Sequence, residues 1–323
     1  MRDSDFIGIQ MEKAEKILIT GGAGLVGQNL IVHLLARGYR NLVAIDKHPH
    51  NARVLARLHP EIQVIEADLS QAGDWEQAFR GVKTVLILHA QIGGLKRAEF
   101  IANNVTATER VLATCQKHGI EQLVHISSSV INSRADDDYT ETKGMQERLV
   151  LDNPISHVVL RPTLMFGWFD RKHLGWLARF MKKVPVYPVP GNGQFARQPL
   201  YVKDFCNIIM ACMEQPPADP VYDISGLEQI DYIDIMRSIR RVVGARTLIL
   251  HLPYRLFWGL LWAWARFDRD PPFTTRQLEA LVIPEVFEVI DWPGIFGVQP
   301  TTLEQAFDET FNDLRYADVV LEF

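Results

Sequence analysis

Tyr139 and Lys143 stand four residues apart in Tyr139-Thr140-Glu141-Thr142-Lys143. The pattern that follows, Gly144 to Leu151, predicts a helix, so one helical face carries both a phenol and an ammonium. A phenol titrates near ~10 in isolation and is a poor base at neutral pH unless a nearby cation favours its phenolate. Lys143 is placed to supply that bias, and such a pair can move a proton on and off a substrate oxygen. Upstream, Ser127-Ser128-Ser129 follows an apolar run. A hydroxyl there can hold a substrate oxygen beside the tyrosine, or can simply cap a helix and solvate a loop. Asp136-Asp137-Asp138 directly precedes Tyr139. Like charge at close range disfavours a phenolate, whereas a solvated run pointing away has little effect, and the solvated arrangement is the one expected.

A second constellation lies near the start of the chain. Ile17-Leu18-Ile19-Thr20-Gly21-Gly22-Ala23-Gly24-Leu25-Val26-Gly27 joins a β-rich run to a glycine turn and then to Val26, Leu30 and Leu34 at helical spacing, with Gly38 as a stop. Gly21 can adopt a turn conformation closed to residues with a Cβ, and Gly24 lets a pyrophosphate approach the backbone. Gly27 lets helix and strand pack closely, and the helix N-terminus presents unpaired N–H groups to the phosphates. A further strand, Leu42 to Ile45, ends in Asp46, near the ~20-residue distance at which an acid binds the adenosine ribose hydroxyls. An acid there repels a 2′-phosphate, so NAD is expected over NADP, although Lys47 and His48 follow it directly.

These groups need a scaffold. Strands at Ile62 to Ile65, Thr84 to Leu88, Gln122 to Ile126 and His157 to Leu160 alternate with helical segments, one of them running from Ala98 to His118 and stopped by Gly119. The pattern predicts an α/β fold with a Rossmann-like, doubly wound parallel sheet, whose carboxyl edge would hold the serines. Residues 1–15 read as an N-terminal extension and 16–165 as the dinucleotide domain. Residues 166–323 read mainly as a smaller substrate-binding domain, with a strand near 221–224 returning to the sheet. The segment 256–265, Leu256-Phe257-Trp258-Gly259-Leu260-Leu261-Trp262-Ala263-Trp264-Ala265, is continuously apolar between Arg255 and Arg266 and too short to span a bilayer. It suits a membrane interface, a lid or oligomer contact, or an ordinary core helix.

The 323 residues carry a formal charge of −5, without any long basic run, which argues against nucleic acid as the main partner. Three scattered cysteines, Cys115, Cys206 and Cys212, lack metal-ligand spacing, so neither a metal nor a disulfide is expected. With no signal-peptide core in the first residues, a cytoplasmic protein is expected, with peripheral membrane contact through 256–265 as an option.

Thr20 to Gly27, Asp46, the serine run and Tyr139 to Lys143 together resemble the extended short-chain dehydrogenase/reductase family, and more narrowly its NAD-dependent epimerase/dehydratase branch. Glu66-Ala67-Asp68-Leu69, Asn104-Val105-Thr106-Ala107-Thr108 and Leu160-Arg161-Pro162 also match family segments. The resemblance implies Tyr139 as acid/base, Lys143 as its activator and ribose ligand, and Ser129, in preference to Ser128, as the hydroxyl partner. It implies cofactor contacts from Gly21, Gly24, Leu25, Val26, Gly27, Asp46, Lys47, Asp68, Leu69, His89, Ala90, Asn104, Ser127, Arg161 and Pro162. Substrate contacts would come from Gln91, Ser129 and Arg197, the last in a stretch similar to one whose arginine meets a nucleotide-sugar phosphate. A homodimer through the helices 98–118 and 139–151 is also implied. Two departures stand out: only nine residues separate Ser129 from Tyr139, and Ile131-Asn132 replaces the usual Tyr-Gly after the serines.

The function expected first is 4-epimerisation of a nucleotide-linked or lipid-linked sugar by transient oxidation and reduction. A dehydrogenase of a sterol-like or other hydrophobic alcohol is the second reading. The third is a non-catalytic NAD(H)-binding subunit or redox sensor, suggested by Pro271-Pro272-Phe273-Thr274-Thr275-Arg276-Gln277-Leu278, which resembles atypical relatives that often lack the Tyr and Lys retained here.

Overall fold

Apolar runs of four to seven residues form β1 Lys16–Thr20, β2 Leu42–Asp46, β3 Gln63–Glu66, β4 Val82–Ile87, β5 Gln122–Ile126 and β6 Ser156–Pro162. With the strand Val221–Ile224 outside β6, they make a seven-stranded sheet in the order Val221–Ile224, β6, β5, β4, β1, β2, β3. Every pairing is parallel. The computed structural model describes residues 12–132, 137–268 and 274–322. Most of the expected extension 1–15, Asp136 of the acidic run and Pro271-Pro272-Phe273 lie outside these residues; within them, Lys13 reaches Glu214 at 3.0 Å.

The central strands β1, β2, β4 and β5 read as near-continuous apolar runs because both sheet faces are covered there, whereas the edge strand β3 exposes Gln63 and Glu66. Along β1, Ile17 and Ile19 enter one core while Leu18 enters the other. On the first face, α1 Leu25–Ala36 packs beside the helix Val202–Glu214. On the second lie α4 Ala107–His118, through Val111, Leu112 and Cys115, and α5 Asp138–Leu151, through Val150. The apolar residues of α4 and α5 that enter this core are thus spent within one chain. The remaining early helices are α2 Pro49–Leu58 and α3 Arg97–Phe100.

Two local expectations shift. The helix expected over Ala98 to His118 is interrupted by a π-helical segment, Ile101–Thr106, between α3 and α4, before ending at Gly119 with φ 69°. The wider turn buries Asn104 completely, as a residue inserted into a helix does at many functional sites. β6 runs beyond the expected His157 to Leu160 because Val159–Pro162 pairs with Val221–Ile224, the strand expected to return to the sheet.

Beyond β6, Met165–Phe166 pairs with Leu200–Tyr201, Ala196–Arg197 with Ile230–Asp231, and Val186–Pro190 with Leu248–Leu252. Phe166, Ile233 and Phe307 share one continuous apolar core with β1 and α1. The Trp-rich segment folds as the helix Tyr254–Trp264, with Phe257 and Leu261 buried against Leu278 and with Leu256, Leu260, Trp262 and Trp264 exposed. Among the described residues no helix is long and apolar enough to cross a membrane. The three cysteines are buried and free, and burial pushes the Cys115 thiol up to about 12.

Candidate active site

The strand order reverses between β1 and β4, where neighbouring connections leave in opposite directions and open a crevice. The glycine turn sits there. Gly21 has φ +68°, and a Cβ on it would lie 2.6 Å from the His89 backbone; a Cβ on Gly27 would lie 2.5 Å from the Gly22 carbonyl oxygen. Gly24 is the N-cap of α1 and supplies no side-chain cap, leaving the first helical N–H groups to an external acceptor. Asp46 accepts from the Ala23 N–H at 3.0 Å and the His48 N–H at 2.9 Å. Burial raises its carboxyl pKa, and those two N–H groups act against the rise.

A groove of about 320 Å³ runs over this turn. Gly21, Gly24 and Leu25 line it beside Asp46, Lys47, Asp68 and Leu69, and His89, Ala90 and Gln91 line its far end. A cradle that a single Cβ would fill, the start of a twelve-residue helix and an acid at the tip of β2 fit a dinucleotide. Val26 and Gly27 are not at the groove surface: Val26 packs on the core, and Gly27 is pressed under Gly22. Two groove walls carry no sequence signature. One is 169–173, and the other is Leu321 and Glu322, held by a reciprocal pair of 2.9 Å hydrogen bonds between Glu322 and Asn51.

Tyr139 opens α5. The helix is capped by Asp137, whose carboxylate accepts from the Thr140 N–H at 2.7 Å, and Arg97 grips Asp138 at 2.7 Å and Glu141 beside it. The acidic residues Asp137 and Asp138 are therefore engaged rather than loosely solvated. Burial raises the Tyr139 phenol pKa, a hydrogen bond with Ser128 lowers it, and the Asp137 charge raises it. Of the serine run, Ser128, in place of the expected Ser129, is the one whose hydroxyl acts on the phenol. The chain turns into a 3-10 segment, Ser129–Asn132, at that point. Ser127 is buried, and its hydroxyl has no hydrogen-bond partner among the described residues.

Lys143 lies one turn on, fully buried, donating to the Ile126 carbonyl at 3.0 Å and to the Gln146 amide oxygen. Burial pushes its ammonium down to about 7, and the Glu147 charge acts the other way. Gln146 in turn donates to the His89 carbonyl at 3.1 Å and to Thr108 at 2.9 Å. The His89 ring sits between Thr20 at 2.8 Å and Thr108 at 3.0 Å, and burial followed by the Lys143 charge holds it neutral, at about 3. Asn104 accepts from the Gln91 N–H and donates to Thr142 at 2.9 Å. These contacts fasten the tip of β4 to the π segment and to α5. In the sequence Gln146 carries no assigned role, although it stands three residues beyond Lys143 on the same helical face, and Thr108 enters only within the Asn104–Thr108 segment.

Three expected contacts are engaged elsewhere. Arg161 forms a two-pronged pair with Glu147 of α5 and lies 3.7 Å from Asp223. Pro162 is buried at the end of β6. Arg197 donates to the carbonyls of Ala196 at 2.9 Å, Ile283 at 2.8 Å and Leu281. Neither arginine lines the groove, and among the described residues no cluster of His, Cys, Asp or Glu is arranged to hold a metal.

A family model described as the NAD dependent epimerase/dehydratase family matches residues 17–225. The chain is 30% identical to the mouse (Mus musculus) sterol-4-alpha-carboxylate 3-dehydrogenase, decarboxylating, over 95% of its own length and 92% of that protein. It is 26% identical to a Mycobacterium tuberculosis 3 beta-hydroxysteroid dehydrogenase/Delta 5-->4-isomerase, over 84% of its length and 81% of the relative. Among solved structures, the NAD complex of Bacillus cereus UDP-glucuronic acid 4-epimerase has the same fold, with TM-score 0.70 and 20% identity over 92% of this chain and 97% of that one. With the glycine cradle, Asp46 and the Tyr139–Lys143 face in place, the chain belongs to the NAD-dependent epimerase/dehydratase family of enzymes, and NAD is its cofactor.

Proposed function

We propose that this enzyme interconverts a secondary alcohol and a ketone on a hydrophobic, sterol-like skeleton. One observation carries the choice. The guanidinium of Arg197, expected to meet a nucleotide-sugar phosphate, is nine-tenths buried and spent on three backbone carbonyls. A diphosphate would have to displace bonds that already satisfy it. The relatives named for sterol and steroid dehydrogenation support the same choice.

Bound NAD supplies a hydride acceptor or donor for the carbinol carbon. Tyr139 takes the alcohol proton during oxidation and returns it during reduction, with the Ser128 hydroxyl acting on the phenol. Lys143 holds α5 against the end of β5 through the Ile126 carbonyl. Asn104 and Gln146 fix Gln91 and His89, so the lining at the tip of β4 is set before a substrate arrives.

The sugar 4-epimerase reading has one observation of its own. The Asn51–Glu322 clasp closes one wall of the groove, which suits a cofactor that stays bound through a full cycle. The test is to incubate the purified enzyme and NAD with a panel of 3β-hydroxysterols and UDP-sugars while recording NADH absorbance and product. Stoichiometric NADH with a sterol supports the proposal. Isomerised sugar without net NADH overturns it in favour of epimerisation.

A further inference from the structure

The helix Tyr232–Val242 ends in a basic crevice lined by Arg237, Arg240, Arg241 and Arg246. Gly244, at φ +62°, reverses the chain there, and the Ala245 N–H bonds back to the Arg240 carbonyl at 3.0 Å, so arginines before and after the turn converge. Arg237 pairs with Asp234 at 2.9 Å and Arg241 with Glu304 at 3.3 Å. Arg240 reaches only the Thr247 carbonyl, at 3.5 Å, and Arg246 has no partner among the described residues. Two positive charges are therefore left without a neighbouring carboxylate.

The chain leaves this crevice directly into the strand Leu248–Leu252, where alternation puts Leu248 (59% exposed) and Leu250 (44%) on the outward face. Val186, paired with Leu248 on the adjacent strand, is exposed as well. The helix Tyr254–Trp264 follows, with Leu256, Leu260, Trp262 and Trp264 each about half exposed. Arg266 lies over the Trp262 ring at 4.4 Å. Exposed apolar side chains repeated along two consecutive elements mark a binding face more than ordinary solvent contact, although Asp268 accepts from the Trp264 indole at 3.1 Å. Tryptophans beside arginines suit the boundary between water and acyl chains.

We propose that this face seats the enzyme on an anionic phospholipid surface, with the crevice arginines meeting lipid phosphates and the strand and helix side chains entering the interface. Charge decides the occupant: an apolar face bordered by two uncompensated arginines, on a protein of net charge −5, is complementary to a negative lipid surface. Lipid binding of this kind is independent of which alcohol the active site takes.

The test is flotation of the full chain with phosphatidylcholine vesicles, with and without phosphatidylglycerol, at low and high salt. Binding is expected to need the anionic lipid and to weaken with salt. Arg240→Gln with Arg246→Gln should lower partitioning about fivefold per arginine, and Trp262→Ser should lower it further, with NAD binding unchanged in each variant as the check on folding. Binding equal on both vesicle types, no binding at low salt, or no response to the arginine substitutions overturns the proposal. A wild-type dimer in sedimentation that Trp262→Ser converts to monomer also overturns it, because a second copy then covers the face.

Discussion

Gln146 accepts a hydrogen bond from the Lys143 ammonium and donates its own amide to the His89 carbonyl at 3.1 Å and to Thr108 at 2.9 Å. One neutral side chain therefore couples the amine of α5 to the tip of β4 and to α4. A buried ammonium keeps its charge only if its donors are met. Gln146 meets one of them, and Ile126 another.

Replacing Gln146 with Met, which preserves length but not polarity, leaves an ammonium donor and the His89 carbonyl short of a partner, while Thr108 keeps its bond to the His89 ring. The expected cost is about 1–3 kcal/mol of stability, read as a lower urea midpoint at unchanged slope. An unaltered midpoint would show that water satisfies these groups.

Tyr139→Phe removes the proton-transferring hydroxyl and keeps the ring. Turnover should fall about 10²- to 10⁴-fold, while NAD affinity measured by titration calorimetry stays nearly the same. Residual activity close to wild type would remove Tyr139 from the mechanism.

The phenol pKa is raised chiefly by burial, so the tyrosine is protonated at neutral pH. Reduction needs that proton and oxidation needs its absence. Ketone reduction should be supported at neutral pH and decline as the solution becomes alkaline, while alcohol oxidation rises over the same limb. Steady-state rates in both directions across that range check this, and parallel profiles in the two directions would contradict it.

Lys143 titrates near about 10.5 in the unfolded chain and about 7 in the folded one. Between those values the unfolded chain binds more protons, so this group makes stability of the cofactor-free protein rise with pH and leaves it lowest below about 7. Lys143→Met should flatten that dependence in urea melts taken between neutral and mildly alkaline pH. An identical slope in both proteins would place the ammonium in contact with water.

Gly27→Ala forces a Cβ to within 2.5 Å of a backbone oxygen, whereas a Cβ on Gly144, inside α5, meets nothing within 4 Å. The first substitution should weaken both folding and NAD binding. The second should stabilise by roughly 0.5–1 kcal/mol through helix propensity. Thermal melts with and without NAD separate the two, and equal behaviour would mean that the glycine turn relaxes freely.

The amino-acid sequence by itself determined the parallel sheet, the glycine turn with Asp46 at the next strand tip, and the Tyr139–Lys143 face. Each of these is written in local spacing: apolar runs for strands buried on both sides, and four residues for one helical turn. Tertiary structure decided the rest. Which serine of the run acts on the Tyr139 phenol is set by the turn of the chain into α5, and there it is Ser128. Arg197 leaves the expected phosphate role because carbonyls more than eighty residues away in the chain reach it first. The Asn51–Glu322 clasp and the Gln146 hub join groups far apart in sequence, and such hydrogen bonds leave no periodicity to read. Likewise, the Trp-rich run is uniformly apolar as a string, and only packing against Leu278 divides it into buried Phe257 and Leu261 and an outward face.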